Sequence, residues 1–201
     1  MIKKKKKTFK KSNLLLKKAL KYIPGGTQTF SKSYLQYPQG FSPLYLKYAK
    51  GSKVIDVDNN KYTDFVSSLL AINIGHNDKD INSAVISQIK KSNIYSLPNE
   101  LEINVSKKIV DNIKSADQVR FGKNGADANS AAIRIARHQT QKDIILFCGY
   151  HGWHDWYISK TSRNYGIPKN IGKLTHNFIY NDIDSLKNCF TKFNNNVAAV
   201  I

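Results

Sequence analysis

The segment CGYHGWHDWY, Cys148–Tyr157, places two histidines, two tryptophans, two tyrosines and an aspartate within ten residues. Three kinds of site use such a composition. His151 and His154, with Asp155 beside them, could bind a metal ion. One of the rings could stack on a flat heteroaromatic ligand, or the rings could pack together as a corner of the hydrophobic core. The residue types alone leave the three interpretations open.

A second candidate site is FGKNGADANSAAIRIAR, residues 121–137. The pattern predicts a strand that ends at Phe121, a turn, and a helix that begins near Gly125. The first N–H groups of such a helix have no intrahelical acceptor, so they favour an anion such as a phosphate. Asn124 can cap this helix, and Asp127 follows at the spacing of a capping box. The alternative is a well-capped structural helix, since neither a Walker loop nor a GxGxxG turn is present.

Both segments are predicted to lie at the same edge of a sheet. The apolar run DIILFCG, residues 143–149, has the length of a buried strand, and the aromatic segment follows it directly. Open α/β sheets bind their ligands at the carboxyl ends of their strands. A flat cofactor that stacks on Tyr150 and places a phosphate at the helix after Asn124 would explain both segments together.

The N-terminal third predicts a helix followed by a small β element. SNLLLKKALKYIPGG is typical of a short amphipathic helix that Ser12 could cap. Residues 41–66 alternate between apolar and polar side chains around turns at Gly51 and at residues 58–60. This alternation indicates two or three short antiparallel strands.

The rest of the chain predicts an α/β domain with a parallel sheet. Helical spacing occurs at residues 81–89, 99–113 and 183–193, and the second of these helices should bury Leu101, Val105, Ile109 and Ile113. Strands are predicted at residues 119–121, 143–149, 177–180 and 197–201. Strands that alternate with helices through short connections favour a parallel sheet flanked by helices.

We therefore expect three regions. Residues 1–11 should form a disordered lysine-rich tail, residues 12–75 a small N-terminal segment, and residues 76–201 the first part of a larger α/β domain. The chain ends on the apolar strand VAAVI, and backbone groups and apolar side chains in such a strand need neighbours. We expect this chain to be the N-terminal part of a longer protein.

The net charge of +18 is concentrated near the N-terminus, since 14 of the 32 basic residues precede Asp56, the first acidic residue. The lysine run at residues 3–7 could contact nucleic acid or an anionic surface, so a noncatalytic binding module remains an alternative function. The body of the protein gives no sign of a specific nucleic-acid site. No secretory signal or membrane span is predicted. Two cysteines, Cys148 and Cys189, are too few for a disulfide framework, which favours the reducing cytoplasm.

Several motifs occur together in the order known from one enzyme family. They are IPGG (23–26), DVDNNKYTDF (56–65), IGHND (74–78), VRFGKNGADANSAAIRIARHQTQKD (119–143) and GYHGWHDW (149–156). With these motifs the chain resembles the class III pyridoxal-phosphate-dependent aminotransferases, and among them it is most similar to glutamate-1-semialdehyde 2,1-aminomutase-like proteins. The resemblance covers the chain from about residue 12 onward.

The resemblance implies a fold type I pyridoxal 5'-phosphate (PLP) transferase that works as a homodimer. It implies a phosphate-binding turn at the start of the helix and a ring stacked on the pyridine of the cofactor. The cofactor-binding residues that match this pattern are Asn124, Gly125, Ala126, Tyr150 and His151. Trp153 and Trp156 are then expected to pack beneath the cofactor.

Three positions depart from the aminomutase pattern. Lys32 stands where the aminomutases bind the substrate carboxylate with an arginine, Ala126 lacks a hydroxyl that relatives often add, and Leu69 replaces a tryptophan. These changes favour amino transfer between a small-molecule amino donor and a keto or aldehyde acceptor, with a sugar as one candidate. The aminomutase reaction is the alternative. The family's cofactor-binding lysine and pyridine-binding aspartate are expected beyond Ile201. No catalytic residue is therefore assigned, and this chain alone should be inactive. No metal ligand is assigned either.

Overall fold

The structure, a computed structural model, describes residues 7–201. The chain divides into two compact units, Met1–Leu97 and Pro98–Ile201. Most of the lysine-rich tail that we expected to be disordered lies outside the described residues. The first unit extends past residue 75, and the assignment of functional domains remains a prediction.

The first unit combines helices with a small antiparallel sheet. Its elements are α1 (Lys10–Ala19), β1 (Leu46–Lys50), β2 (Lys53–Asp56), β3 (Lys61–Thr63), α2 (Ser67–Leu70) and α3 (Lys79–Lys91), with short 3-10 turns at Pro24–Gly26, Phe30–Lys32 and Tyr34–Gln36. The strands pair in the order β1-β2-β3, each antiparallel to the next, which confirms the predicted β element. Positive φ angles at Gly51 and Asn59 lie in the two predicted turns.

Helix α1 begins at Lys10, so the prediction that Ser12 caps it is wrong. The cap comes from a distant residue. The Asp58 carboxylate accepts hydrogen bonds from the backbone N–H groups of Lys11 and Ser12, both at 2.9 Å. Ser12 is instead fully buried, and its hydroxyl oxygen accepts a hydrogen bond from the N–H of Leu44 at 3.5 Å. A cap from the β2–β3 loop leaves no signal near the helix itself.

The segment α2 is a single left-handed turn, because all four of its residues have positive φ. L-residues pay roughly 1–2 kcal/mol each for this conformation, so the turn needs support from its surroundings. Asp64 supplies it by accepting hydrogen bonds from the N–H groups of Val66 and Ser67 at 2.9 and 3.1 Å. Its other oxygen is 2.7 Å from Nε2 of His76. That contact with His76 is the main cause of the lowered pKa of Asp64, and burial opposes it.

The second unit is a parallel sheet with helices, as the alternating pattern predicts. Its elements are α4 (Glu100–Asn112), α5 (Gly125–Thr140), β4 (Ile144–Phe147), α6 (Asp155–Ile158), β5 (Thr175–Asn177), α7 (Ile183–Phe193) and β6 (Val197–Val200), with 3-10 turns at Ile171–Leu174 and Asn194–Asn196. The strand order is β5-β4-β6, and both pairings are parallel.

The core of this unit forms between the central strand and two helices. Strand β4 is buried along its whole length, which confirms the prediction of a buried strand. The side chains of β4 pack with those of α5 and α6. Side chains of β6, and of the residue that follows it, lie against this cluster. The buried cluster consists of Ile133, Ile145, Phe147, Trp156 and Tyr157.

Two strand predictions in this unit need correction. Residues 119–121 belong to no strand, and no strand within residues 7–201 pairs with them. Strand β5 begins at Thr175 and ends at Asn177, so it precedes most of the predicted segment 177–180. The parallel register with β4 determines these limits.

Helix α4 occurs where the periodicity predicts it, but its predicted burial is wrong. Leu101, Val105 and Ile113 are about half exposed, and Ile109 is only partly buried. Within the described residues, no element covers this apolar face. Also within residues 7–201, no helix combines the length and apolar character that crossing a bilayer requires.

Candidate functional site

The first turn of α5 carries two backbone donors without a partner. Asn124 has extended φ and ψ angles and caps the helix, since its side chain accepts a hydrogen bond from the N–H of Asp127 at 3.1 Å. The N–H groups of Gly125 and Ala126 have no hydrogen-bond acceptor among the described residues. Together with the helix dipole, these two donors favour a bound anion.

The aromatic loop after β4 packs directly on this turn. Gly152 has a φ of +104°, and a Cβ placed on it would lie 2.6 Å from Cβ of Ala126. Only a glycine allows this approach, because an added carbon would overlap the helix. One turn further along α5, the side-chain amide of Asn129 donates a hydrogen bond to the carbonyl of His151 at 3.2 Å. The two segments predicted to share a sheet edge therefore lie in contact.

Most rings of the loop form a packed corner of the core. Nε2 of His151 donates a hydrogen bond to the carbonyl of Cys148 at 2.7 Å, and its ring meets that of Tyr157 edge-on. The hydroxyl of Tyr157 donates to the carbonyl of Gly149 at 3.1 Å, and burial raises the pKa of this hydroxyl. The core-corner interpretation of the aromatic segment therefore describes His151 and Tyr157.

Tyr150 differs from these rings because 78% of its surface is exposed. Its ring contacts that of Tyr157 edge-on, with the ring centroids 5.8 Å apart. A ring held at one edge and otherwise exposed can stack on a flat ligand. Of the residues predicted to bind a cofactor, Tyr150 thus offers a ring and the α5 turn offers donors, whereas the ring nitrogen of His151 is already used within the loop. The direct role of each in binding remains a prediction.

The expectation that both tryptophans pack inward is half wrong. Trp156 is 8% exposed, and its indole N–H donates to the hydroxyl oxygen of Ser130 on α5 at 3.2 Å. Trp153, in contrast, is 70% exposed. The ring of Trp153 contacts that of His154, with centroids 5.4 Å apart.

The side chain of His154 is bound to α5 and not to His151. Its Nδ1 lies 2.7 Å from the hydroxyl oxygen of Ser130, and its Nε2 lies 3.5 Å from a carboxylate oxygen of Asp127. No hydrogen bond joins the Asp127 side chain to the N–H of Asn124 within the described residues, so the second half of the predicted capping box is not formed. Over residues 7–201, no three His, Cys, Asp or Glu side chains come together in a way that could hold a metal ion.

Asn129 and Ser130 were not among the residues predicted for the site. A signal was present, since they are two adjacent polar residues in an alanine-rich helix. Their spacing of three and four residues after Ala126 places them on the face that begins at the binding turn. Lys32, predicted to bind substrate, lies exposed in the 3-10 turn Phe30–Lys32 of the first unit. Its role remains a prediction.

Residues 36–201 match the family model described as aminotransferase class-III. The chain belongs to this family. It is 36% identical over 192 residues to the 3-aminobutyryl-CoA aminotransferase of Cloacimonas acidaminovorans, covering 95% of this chain and 45% of that protein. It is also 36% identical over 201 residues to a glutamate-1-semialdehyde 2,1-aminomutase of Francisella philomiragia, covering 94% and 46%.

The fold agrees with the family. A solved structure of the FumI protein of Sphingopyxis sp. MTA144, in its PLP internal aldimine form, superposes with a TM-score of 0.87 at 28% identity, covering 95% of this chain and 45% of that one. The chain thus has the fold of the type I PLP-dependent transferases, and the predicted family and fold are confirmed. It spans about half the length of the curated relatives it matches.

The residues present fit PLP, the cofactor of this family. The N–H groups of Gly125 and Ala126 suit the phosphate, and the exposed ring of Tyr150 suits the pyridine. Gly152 lets the loop that carries Tyr150 approach the first turn of α5. When bound, PLP acts as an electron sink for carbanions formed next to an amino nitrogen. What this chain would supply is the binding and orientation of the cofactor.

Proposed function

We propose that the protein is a PLP-dependent aminotransferase that moves an amino group from a small-molecule donor to a keto or aldehyde acceptor. The observation that supports this proposal most is the contact of Gly152 with Ala126, which joins the loop of Tyr150 to the first turn of α5. An anion-binding turn and an exposed ring in adjacent segments suit a ligand that is flat at one end and phosphorylated at the other.

In this proposal each residue has a separate task. The N–H groups of Gly125 and Ala126 bind the phosphate, with Asn124 holding the turn in shape, and the ring of Tyr150 covers the pyridine. Ala126 contributes only its backbone, and the absence of a side-chain hydroxyl there forgoes a hydrogen bond worth about 1 kcal/mol. His151 keeps the loop closed through the Cys148 carbonyl.

Lys32 is the proposed substrate-binding residue. Its ammonium group is a point charge, which can pair with a carboxylate or another anion but cannot form the two parallel hydrogen bonds of an arginine. A weaker and less directional anion site supports an acceptor other than glutamate semialdehyde, and a keto or aldehyde sugar is one candidate.

The aminomutase reaction is the second candidate function. The identity to a glutamate-1-semialdehyde 2,1-aminomutase equals the identity to an aminotransferase, at 36% in both cases. The lysine at position 32 and the leucine at position 69 argue against it. An assay with glutamate semialdehyde alone, without a separate amino donor, distinguishes the two reactions.

We also propose that the protein works as a homodimer in the cytoplasm. The half-exposed apolar side chains Leu101 and Val105 of α4 support burial of this helix in a larger assembly. Neither Cys148 nor Cys189 forms a disulfide, which supports a reducing compartment.

Binding of pyridoxine 5'-phosphate tests the cofactor site. This compound has the ring and the phosphate of PLP but no aldehyde, so it cannot react with lysines. The only two tryptophans of the chain, Trp153 and Trp156, lie in the aromatic loop, so quenching of their fluorescence reports occupancy. We expect saturable quenching that inorganic phosphate competes away.

The Tyr150→Ala change should weaken this binding roughly fivefold to tenfold, since an aromatic stacking pair contributes about 1 kcal/mol. Tyr180, which is 83% exposed in the same unit, provides the matched control Tyr180→Ala. Both variants should unfold at the same urea concentration as the wild type. Equal affinities in the two variants would remove Tyr150 from the site, and a wild-type chain without quenching would refute the cofactor site proposed for these residues.

A further inference from the structure

Four side chains link the aromatic loop to α5, and we name them the loop–helix relay: Asp127, Ser130, His154 and Trp156. Trp156 donates its indole N–H to the hydroxyl oxygen of Ser130 at 3.2 Å. The same oxygen is 2.7 Å from Nδ1 of His154. Nε2 of His154 is 3.5 Å from the Asp127 carboxylate, within the reach of an ion pair.

One neutral tautomer of His154 places an N–H group beside Asp127. An indole N–H can only donate, so the oxygen of Ser130 acts as the acceptor in that contact. The hydroxyl of Ser130 can at the same time donate its own proton to Nδ1 of His154. In that tautomer the ring proton lies on Nε2, the nitrogen nearest the Asp127 carboxylate.

This arrangement matters because of where Asp127 lies. It is the third residue of α5 and follows directly the two N–H groups that suit a phosphate. A carboxylate in the first turn stabilises the helix, but it also repels an incoming anion. An N–H group near the carboxylate reduces this repulsion and leaves the backbone donors unchanged.

We propose that His154 is a positioning residue that reduces the repulsion between Asp127 and the phosphate of the ligand, with its Nε2–H held beside Asp127 by the contact of Nδ1 with Ser130. The proposal rests on the proposed cofactor site and adds a determinant of its phosphate affinity. It assigns a purpose to a histidine that neither stacks on the ligand nor binds a metal.

A double-mutant cycle tests this role through the dissociation constant of pyridoxine 5'-phosphate. His154→Ala should weaken binding roughly fivefold, the size of a charge effect in the first turn of a helix. Asp127→Asn removes the charge and keeps the backbone N–H that Asn124 caps. In the Asp127→Asn background, we expect His154→Ala to change the affinity less than twofold. His138→Ala, at the exposed end of α5, is the control.

Two further readouts separate this role from simple support of the fold. The penalty of His154→Ala should shrink as salt is raised from low to about 0.5 M, because ions screen the repulsion. Nitrogen-15 NMR of the imidazole should show protonated Nε2 in the neutral wild-type ring and a mixture of tautomers in Ser130→Ala. A neutral ring protonated on Nδ1 would overturn the relay.

The outcomes distinguish this inference from the proposed function. If His154→Ala weakens binding equally in both Asp127 backgrounds, His154 has only a structural role and the inference is wrong, while the cofactor site stands. If the wild-type chain binds neither pyridoxine 5'-phosphate nor inorganic phosphate, the proposed cofactor site fails, and the affinity effect assigned to His154 fails with it.

Discussion

Replacing Gly152 with alanine should disrupt the contact between the aromatic loop and α5. The change has two costs. A φ of +104° is unfavourable for an L-residue by roughly 1–2 kcal/mol. The new Cβ would also lie 2.6 Å from Cβ and 3.1 Å from Cα of Ala126, and overpacking of this kind costs roughly 1–3 kcal/mol. We expect a total loss of roughly 2–5 kcal/mol.

Gly149 in the same loop is the matched control. Its φ is +83°, but no atom lies within 4 Å of the position that a Cβ would occupy. Gly149→Ala should therefore lose only the conformational part, roughly 1–2 kcal/mol. The difference between the two variants isolates the steric contact with α5.

Urea unfolding of the two variants measures this difference, and a second change tests its cause. Adding Ala126→Gly to Gly152→Ala removes the nearer of the two atoms and should restore part of the lost stability. This gain is reduced by about 1 kcal/mol, the cost of a glycine within a helix. If Gly152→Ala and Gly149→Ala prove equally stable, the loop does not press on α5. The contact that supports the cofactor site would then be absent.

Two further changes test other parts of the molecule. Asp64→Asn should destabilise the chain at neutral pH. The difference in unfolding free energy from the wild type should shrink as the pH falls through and below 3.8, because the pKa of Asp64 is lowered in the folded chain and its charged carboxylate is lost only in acid. Unfolding curves at pH 7 and 3 measure this difference, and a difference that does not depend on pH would contradict the prediction. Thr175→Val should leave stability unchanged or raise it by about 1 kcal/mol, because Thr175 is fully buried and its hydroxyl has no partner among the described residues. Thr175→Ser, which keeps the hydroxyl and removes the methyl group, should lower the melting temperature, and the reverse order of the two variants would show that the hydroxyl is satisfied.

Features that depend on a few neighbouring residues could be predicted from the sequence. The cap of α5 by Asn124 could be predicted because its side chain accepts a hydrogen bond from an N–H only three residues further along the chain. The apolar run that forms β4 is buried throughout because a strand between two others must be apolar on both faces. Motifs such as GYHGWHDW identified the family for the same reason, since their spacing is read directly along the chain.

Features that depend on which distant residues meet required the tertiary structure. The cap of α1 is Asp58, which no periodicity in the helix could indicate, and residues 119–121 form no strand because pairing needs a neighbour. Composition could not decide which of Trp153 and Trp156 packs inward.

The candidate site follows the same division. The turn that suits a phosphate and the ring that suits a pyridine could be predicted from the sequence, since each is a local arrangement of backbone and side chain. The contact of Gly152 with Ala126 and that of His154 with Ser130 could not, because they depend on how the folded chain brings distant segments together. These contacts arise because α5 and β4 run in opposite directions, which brings the loop after the strand to the start of the helix, more than twenty positions away in the chain.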